Sequence, residues 1–196
     1  MNFIVSKLVC HAETNLKLSR YQAAQLRYMF ELIFMNVAEF VVIALFFAFI
    51  GRITEFLVSA GVLLSIRLFS GGFHLKKFRY CFILTFSIFV FVILLLPNIY
   101  NIYIIMEVLL LISGLLIIIL APVSKRNVAH TKRNNLILKI FSVAILLAHS
   151  FWIINQKDGV YASIATWMIF IQSIQLIIGR GLIQYEKTIN EKQLVS

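Results

Sequence analysis

Six apolar stretches, each near the length of a membrane-crossing helix, leave this chain little choice but a polytopic helical fold. They run over about Leu32–Ile50, Ile53–Gly71, Tyr80–Leu96, Ile102–Ala121, Leu136–Ile154 and Val160–Gly179. A helix needs roughly 20 mostly apolar residues to cross the hydrocarbon core. Gly51-Arg52, Pro97-Asn98, Pro122 and Asp158-Gly159 separate the stretches, as helix breakers should. The second stretch is the weakest, interrupted by Glu55, Ser65, Arg67 and Ser70. Barrel strands would instead alternate apolar and polar residues. Composition agrees, with 61% hydrophobic and 13% charged residues, where a soluble domain carries about a quarter charged. The sequence therefore predicts an all-α, polytopic membrane domain over residues 1–196. Residues 1–30 form a cytoplasmic or interfacial arm and 180–196 a cytoplasmic tail. The arm lacks the compact apolar core and cleavage site of a secretory signal peptide.

Basic residues set the orientation, because cytoplasmic loops retain Lys and Arg. With six spans and the N-terminus inside, four regions face the cytoplasm. They carry Lys7, Lys17, Arg20 and Arg27; Lys76, Lys77 and Arg79; Lys125, Arg126, Lys132 and Arg133; and Arg180, Lys187 and Lys192. That is 14 of the 18 Lys and Arg residues, so both termini are expected inside. All seven tyrosines fall at or beyond span ends, where an amphipathic ring prefers to lie. Ser19 followed by Gln22 has the pattern of a capping box opening a helix that runs toward the first span. The net charge of +10 reads as orientation and as attraction to anionic headgroups, not as nucleic-acid binding. Cys10 and Cys81 both fall on the reducing side, which argues against a structural disulfide.

Chemistry concentrates between Ser65 and Cys81. A cysteine and a histidine suffice for thiol peptidase work: the imidazole takes the thiol proton and the thiolate attacks a carbonyl. Lys76, Lys77 and Arg79 favour the thiolate, as does a position at a helix N-terminus. His74 and Cys81 are seven residues apart, about 10 Å along one straight helix, against about 3 Å for a working pair. They can cooperate only if the backbone bends, and Gly71-Gly72 permits that bend. Each residue also has an ordinary explanation. A membrane cysteine is usually a small hydrophobe, an interfacial histidine a solvated polar group, and a basic cluster a topology anchor.

The run Arg67-Leu68-Phe69-Ser70-Gly71-Gly72-Phe73-His74, with Cys81 seven residues on, resembles the AgrB family of quorum-sensing membrane peptidases. The likeness extends to Leu18-Ser19-Arg20-Tyr21-Gln22 before the first span and to Ala121-Pro122-Val123 before the basic loop. The resemblance implies a cysteine endopeptidase that cleaves the C-terminal tail from a short AgrD-type propeptide. The remainder is held as a thioester and released as a cyclic thiolactone or lactone precursor of the autoinducer. By position, Cys81 is the nucleophile and His74 the general base, with Arg67, Gly71 and Gly72 supporting the site. Glu39 is a candidate to orient His74 or pair with Arg67. An acidic propeptide tail would meet Lys76, Lys77, Arg79, Lys125, Arg126, Lys132 and Arg133. The basic loop here is two split pairs, a departure from one compact cluster. The resemblance also allows a homodimer, in which Ser113, Gly114, Gly179 and Gly181 permit close helix approach. The implied location is the bacterial cell membrane, with the active site on its cytoplasmic side.

Two other readings compete. A small transporter would use the intramembrane residues Glu39, Glu107 and Arg67 as a path, but no pair of broken helices marks corresponding halves. A lipid-headgroup transferase would need clustered acids, and Asp158 is the only aspartate. No cofactor or metal is expected, since His11, His74, His130 and His149 show no paired ligand spacing. Cys10 and His11 are adjacent and point different ways on a helix. For His149, Gln172 and Gln175, interhelical hydrogen bonding is the expected role.

Overall fold

The computed structural model describes residues 6–7, 19–72, 78–96, 103–123, 132–156 and 159–195. The described secondary structure is helical, apart from one isolated bridge between Gly71 and Val123. The chain divides into two compact units, Met1–Gly51 and Arg52–Ser196.

The first unit is built on α1, Arg20–Phe49. Its start is the capping box expected at Ser19. The Ser19 amide donates to Gln22 Oε1 at 2.9 Å, and the Gln22 amide donates to Ser19 Oγ at 3.3 Å. Two donors that the first helical turn would orphan are thus satisfied. No break separates the basic lead-in from the apolar stretch, so the helix begins well ahead of Leu32. It ends where Gly51 takes φ 73°.

The second unit holds the remaining helices. These are α2 (Ile53–Ser70), α3 (Phe78–Val90, continuing into a π-helical turn at Phe91–Leu95), α4 (Tyr103–Leu120), α5 (Lys132–Asn155) and α6 (Val160–Val195). Among the described residues, four helical segments are long and apolar enough to cross a membrane: Tyr21–Phe49, Ile53–Ser70, Arg133–Asn155 and Val160–Tyr185. The other two apolar segments, Arg79–Leu95 and Ile105–Leu120, are each about 25 Å long, slightly short of a hydrocarbon core of about 30 Å.

Helix α6 is the axis of this unit and packs against α2, α4, α5 and the π turn. The residues it buries are small or polar as often as large: Ala162, Ser163, Ala165, Thr166 and Ser173 alternate with Ile164, Met168, Ile169 and Leu176. Small side chains let neighbouring backbones approach closely. Thr166 and Ser173 donate their hydroxyls back to the carbonyls of Ala162 and Phe170 at 2.9 and 2.6 Å, so they are buried without an unmet donor. The outer faces of α4 and α5 are apolar and open, with Leu111 69% and Leu147 63% exposed. Such surfaces suit lipid and would be a liability in water.

Phe56, in the first turn of α2, lies 5.0 Å from Phe89, near the end of α3. Phe69 of α2 stacks on Phe141 of α5 at 5.2 Å. Ser113 and Gly114, expected at a subunit interface, face inward instead. Ser113 is fully buried, and a methyl group on Gly114 would lie 3.6 Å from Leu146 of α5. Gly179 is buried as well, while Gly181 is exposed. The close approach that these small residues permit is largely internal to the chain.

Candidate active site

Helix α2 stops at Ser70, and its end is held from three directions. Gly71 has φ 75°, a left-handed conformation that side chains with a Cβ resist, and its amide donates to the Arg67 carbonyl at 3.0 Å. The segment leaving α4 runs alongside, and the Val123 amide donates to the Ser70 carbonyl at 2.9 Å. The two backbones are so close that a Cβ on Gly71 would land on the Val123 carbonyl. From α6, Gln172 Nε2 donates to the Gly71 carbonyl at 2.9 Å and to Ser70 Oγ at 3.1 Å. Ser70 and Gln172 are both fully buried, where an unmet polar group is costly. Further along α6, Arg180 Nη1 donates to the Ile119 carbonyl at 3.3 Å, close to the negative end of the α4 dipole. The ends of α2 and α4 are thereby tied to each other and to α6.

Cys81 lies near the start of α3, three residues after Phe78, with a half-buried side chain. No carboxylate stands in the first turn of α3, while Arg79 is exposed beside it. Along their own helices, Ser70 lies about 21 Å and Cys81 about 12 Å from the Phe56–Phe89 contact. Arg67, half-buried in the last turn of α2, reaches back over the following backbone. A Cβ on Gly72 would lie 3.0 Å from its Nε. A guanidinium there also complements the C-terminal dipole.

The comparisons with known proteins now bear on this arrangement. The family profile described as accessory gene regulator B matches residues 1–176. An AgrB-like protein of Clostridium beijerinckii is 33% identical over 178 residues, which cover 85% of this chain and 82% of the relative. The chain belongs to the accessory gene regulator B family. No solved structure matches it. As an AgrB-family member it is a membrane-embedded protein of quorum sensing by accessory gene regulator systems.

Two of the stretches that carry the AgrB likeness, Arg67–His74 and Ala121–Val123, meet at the Gly71–Val123 bridge. Other expected site residues are distributed differently. His74, Lys76, Lys77, Lys125 and Arg126 lie outside the described residues, as do Cys10, His11, His130 and Asp158. Lys132 and Arg133 open α5, and Arg133 is exposed. Glu39 lies on α1, in the first unit. His149 stands against α2, its Nε2 2.8 Å from Ser65 Oγ. The Ser65 hydroxyl donates to the Val62 carbonyl at 2.9 Å, so the imidazole is the donor to Ser65. The interhelical role expected for His149 and for Gln172 is what both perform.

The transporter alternative gains no support. Glu107 is exposed in α4, about 20 Å from the Leu120 end, whereas Arg67 is about 5 Å from the Ser70 end of α2. The ends of α2 and α4 are joined, so these two charges sit near opposite ends of the bundle. What the sequence reading missed is the specific job of Gln172 and of the Val123 amide. A glutamine in an apolar helix signals an internal polar partner, but nothing in the sequence pairs it with residues 70 and 71.

Proposed function

We propose that this AgrB-family chain is a cysteine endopeptidase that removes the C-terminal tail of an AgrD-type propeptide and promotes cyclisation of the remainder. Cys81 is the nucleophile and His74 the general base. The observation that best supports this reading is the pinned Gly71 turn, which ends α2 inside the motif, with Cys81 three residues into the next described helix. An imidazole close to Cys81 and the positive end of the α3 dipole both favour the thiolate.

The chemistry follows from those two groups. His74 takes the Cys81 proton, and Sγ attacks the carbonyl carbon of the scissile peptide bond. The C–N bond breaks as His74 returns the proton to the leaving amine, and the acidic tail departs with a free amino terminus. The upstream part of the propeptide remains on Cys81 as a thioester. A cysteine thiol or serine hydroxyl within that peptide then attacks the thioester carbonyl. Cys81 leaves as a thiolate, and the ring closes without hydrolysis. Arg67 and Gly72 support the site, Glu39 is the candidate to orient His74, and the basic residues 76, 77, 79, 125, 126, 132 and 133 attract the acidic tail. The same reading has six membrane crossings, both termini inside and the site at the cytoplasmic face of the cell membrane. The charge distribution and the shared end of α2 and α4 support it.

The test is co-expression of the full chain with a propeptide substrate, comparing wild type with Cys81→Ala, Cys81→Ser and His74→Ala. Processing is expected to vanish in both alanine variants. Tail removal that continues in Cys81→Ala would overturn the mechanism.

A further inference from the structure

Gln172 is fully buried on α6, 101 residues beyond the Gly71 carbonyl it touches. Both atoms that face it are acceptors. The Gly71 carbonyl is one, and Ser70 Oγ is the other because that hydroxyl donates its own hydrogen to the Gly71 carbonyl at 3.2 Å. Only the amide nitrogen, with its two hydrogens, fits there. Gln172 Oε1, by contrast, is buried with no hydrogen-bond partner among the described residues. The side chain therefore accepts an unmet acceptor as the cost of keeping both donors on the turn, a liability of about 1–3 kcal/mol in a dry interior. Leucine would fill the same space without it.

We infer that Gln172 is a positioning residue for the peptidase: its amide fixes the Gly71 peptide group at the end of α2, the anchored point from which the catalytic motif continues. This rests on the Cys81–His74 reading above. The Val123 amide holds the Ser70 carbonyl and Gln172 the Gly71 carbonyl, so two consecutive peptide groups are fixed from the segment after α4 and from α6. Removing Gln172 leaves the Gly71 carbonyl only the 3.2 Å contact from Ser70 Oγ, while the Val123 contact keeps the helix end in place.

The experiment measures the pH dependence of Cys81 alkylation and the processing rate in detergent-solubilised full-length protein with Cys10 replaced by serine. It compares this background with Gln172→Leu, Gln172→Glu, Gln175→Leu and His74→Ala. Glutamate preserves size and shape but, buried and neutral, offers one O–H donor where the amide offers two, so it separates the paired hydrogen bonds from packing. Both Gln172 variants are expected to raise the alkylation midpoint by about one pH unit, toward that of His74→Ala. They should lower kcat about tenfold or more with KM within about twofold. Gln175→Leu, one turn away on α6, keeps the values of the background protein. If Leu and Glu at position 172 prevent folding, Gln172→Asn decides, since it retains the amide on a shorter stem. Its midpoint must lie between those of the background protein and His74→Ala. A His74→Ala shift without any Gln172 shift overturns this inference alone. No His74→Ala shift at all overturns the peptidase reading beneath it.

Discussion

At the residue scale, the two adjacent glycines make unequal demands. Gly71 needs its φ of 75°, and any Cβ there meets the Val123 carbonyl, a backbone atom that cannot move aside. The left-handed conformation alone costs about 1–2 kcal/mol for an alanine, and the collision adds to it. Gly71→Ala is expected to lower propeptide processing about tenfold or more and to lower the thermal midpoint. Gly72→Ala meets the Nε of Arg67 at 3.0 Å, where a flexible side chain can yield, and should retain processing within about threefold. Equal losses at both positions, measured by peptide release and by thermal unfolding, would contradict this ranking. The pair was legible in the sequence as a place where the chain can bend. Which glycine is obligatory was not, because the obstacle belongs to a carbonyl some fifty residues away.

At the element scale, polar side chains join helices that apolar packing alone would leave free to slide. His149 holds Ser65 across the α2–α5 contact at 2.8 Å. Polar contacts between membrane helices couple by about 0.6 kcal/mol on average. A Ser65→Ala/His149→Leu double-mutant cycle should give a coupling of that size, with processing unchanged. A coupling near zero would mean that the contact adds nothing to the α2–α5 packing. Helix positions were largely readable from hydropathy: α2, expected over Ile53–Gly71, ends one residue earlier. Helix α1 begins at the expected Ser19 cap, while α6 continues to Val195, past the expected span end at Gly179, because hydropathy marks where a helix meets lipid rather than where its hydrogen bonds end. The π turn at Phe91–Leu95 carries no signal in a run of apolar residues.

At the scale of the whole molecule, the proposed orientation gathers positive charge on the cytoplasmic side, where an acidic substrate would encounter it. Neutralising Arg133 together with Lys125, Arg126 and Lys132 should raise KM about tenfold with little change in kcat. Added salt should mimic the effect, since exposed charges are screened over about 8–10 Å near physiological ionic strength. A fall in kcat at constant KM would assign these residues to chemistry instead of capture. The apolar stretches were enough to read an all-helical membrane protein. The contact that defines the candidate site, from Gly71 to Val123 and Gln172, joins the segments that follow α2 and α4 to α6, and its partners carry no local pattern that pairs them. The most direct measurement is the intact mass of the protein after acid quench during turnover of a propeptide substrate. A species heavier by the propeptide without its tail, carried on Cys81, released by hydroxylamine and absent from Cys81→Ala, is the predicted result. Tail release at the wild-type rate with no adduct on Cys81 would contradict the account.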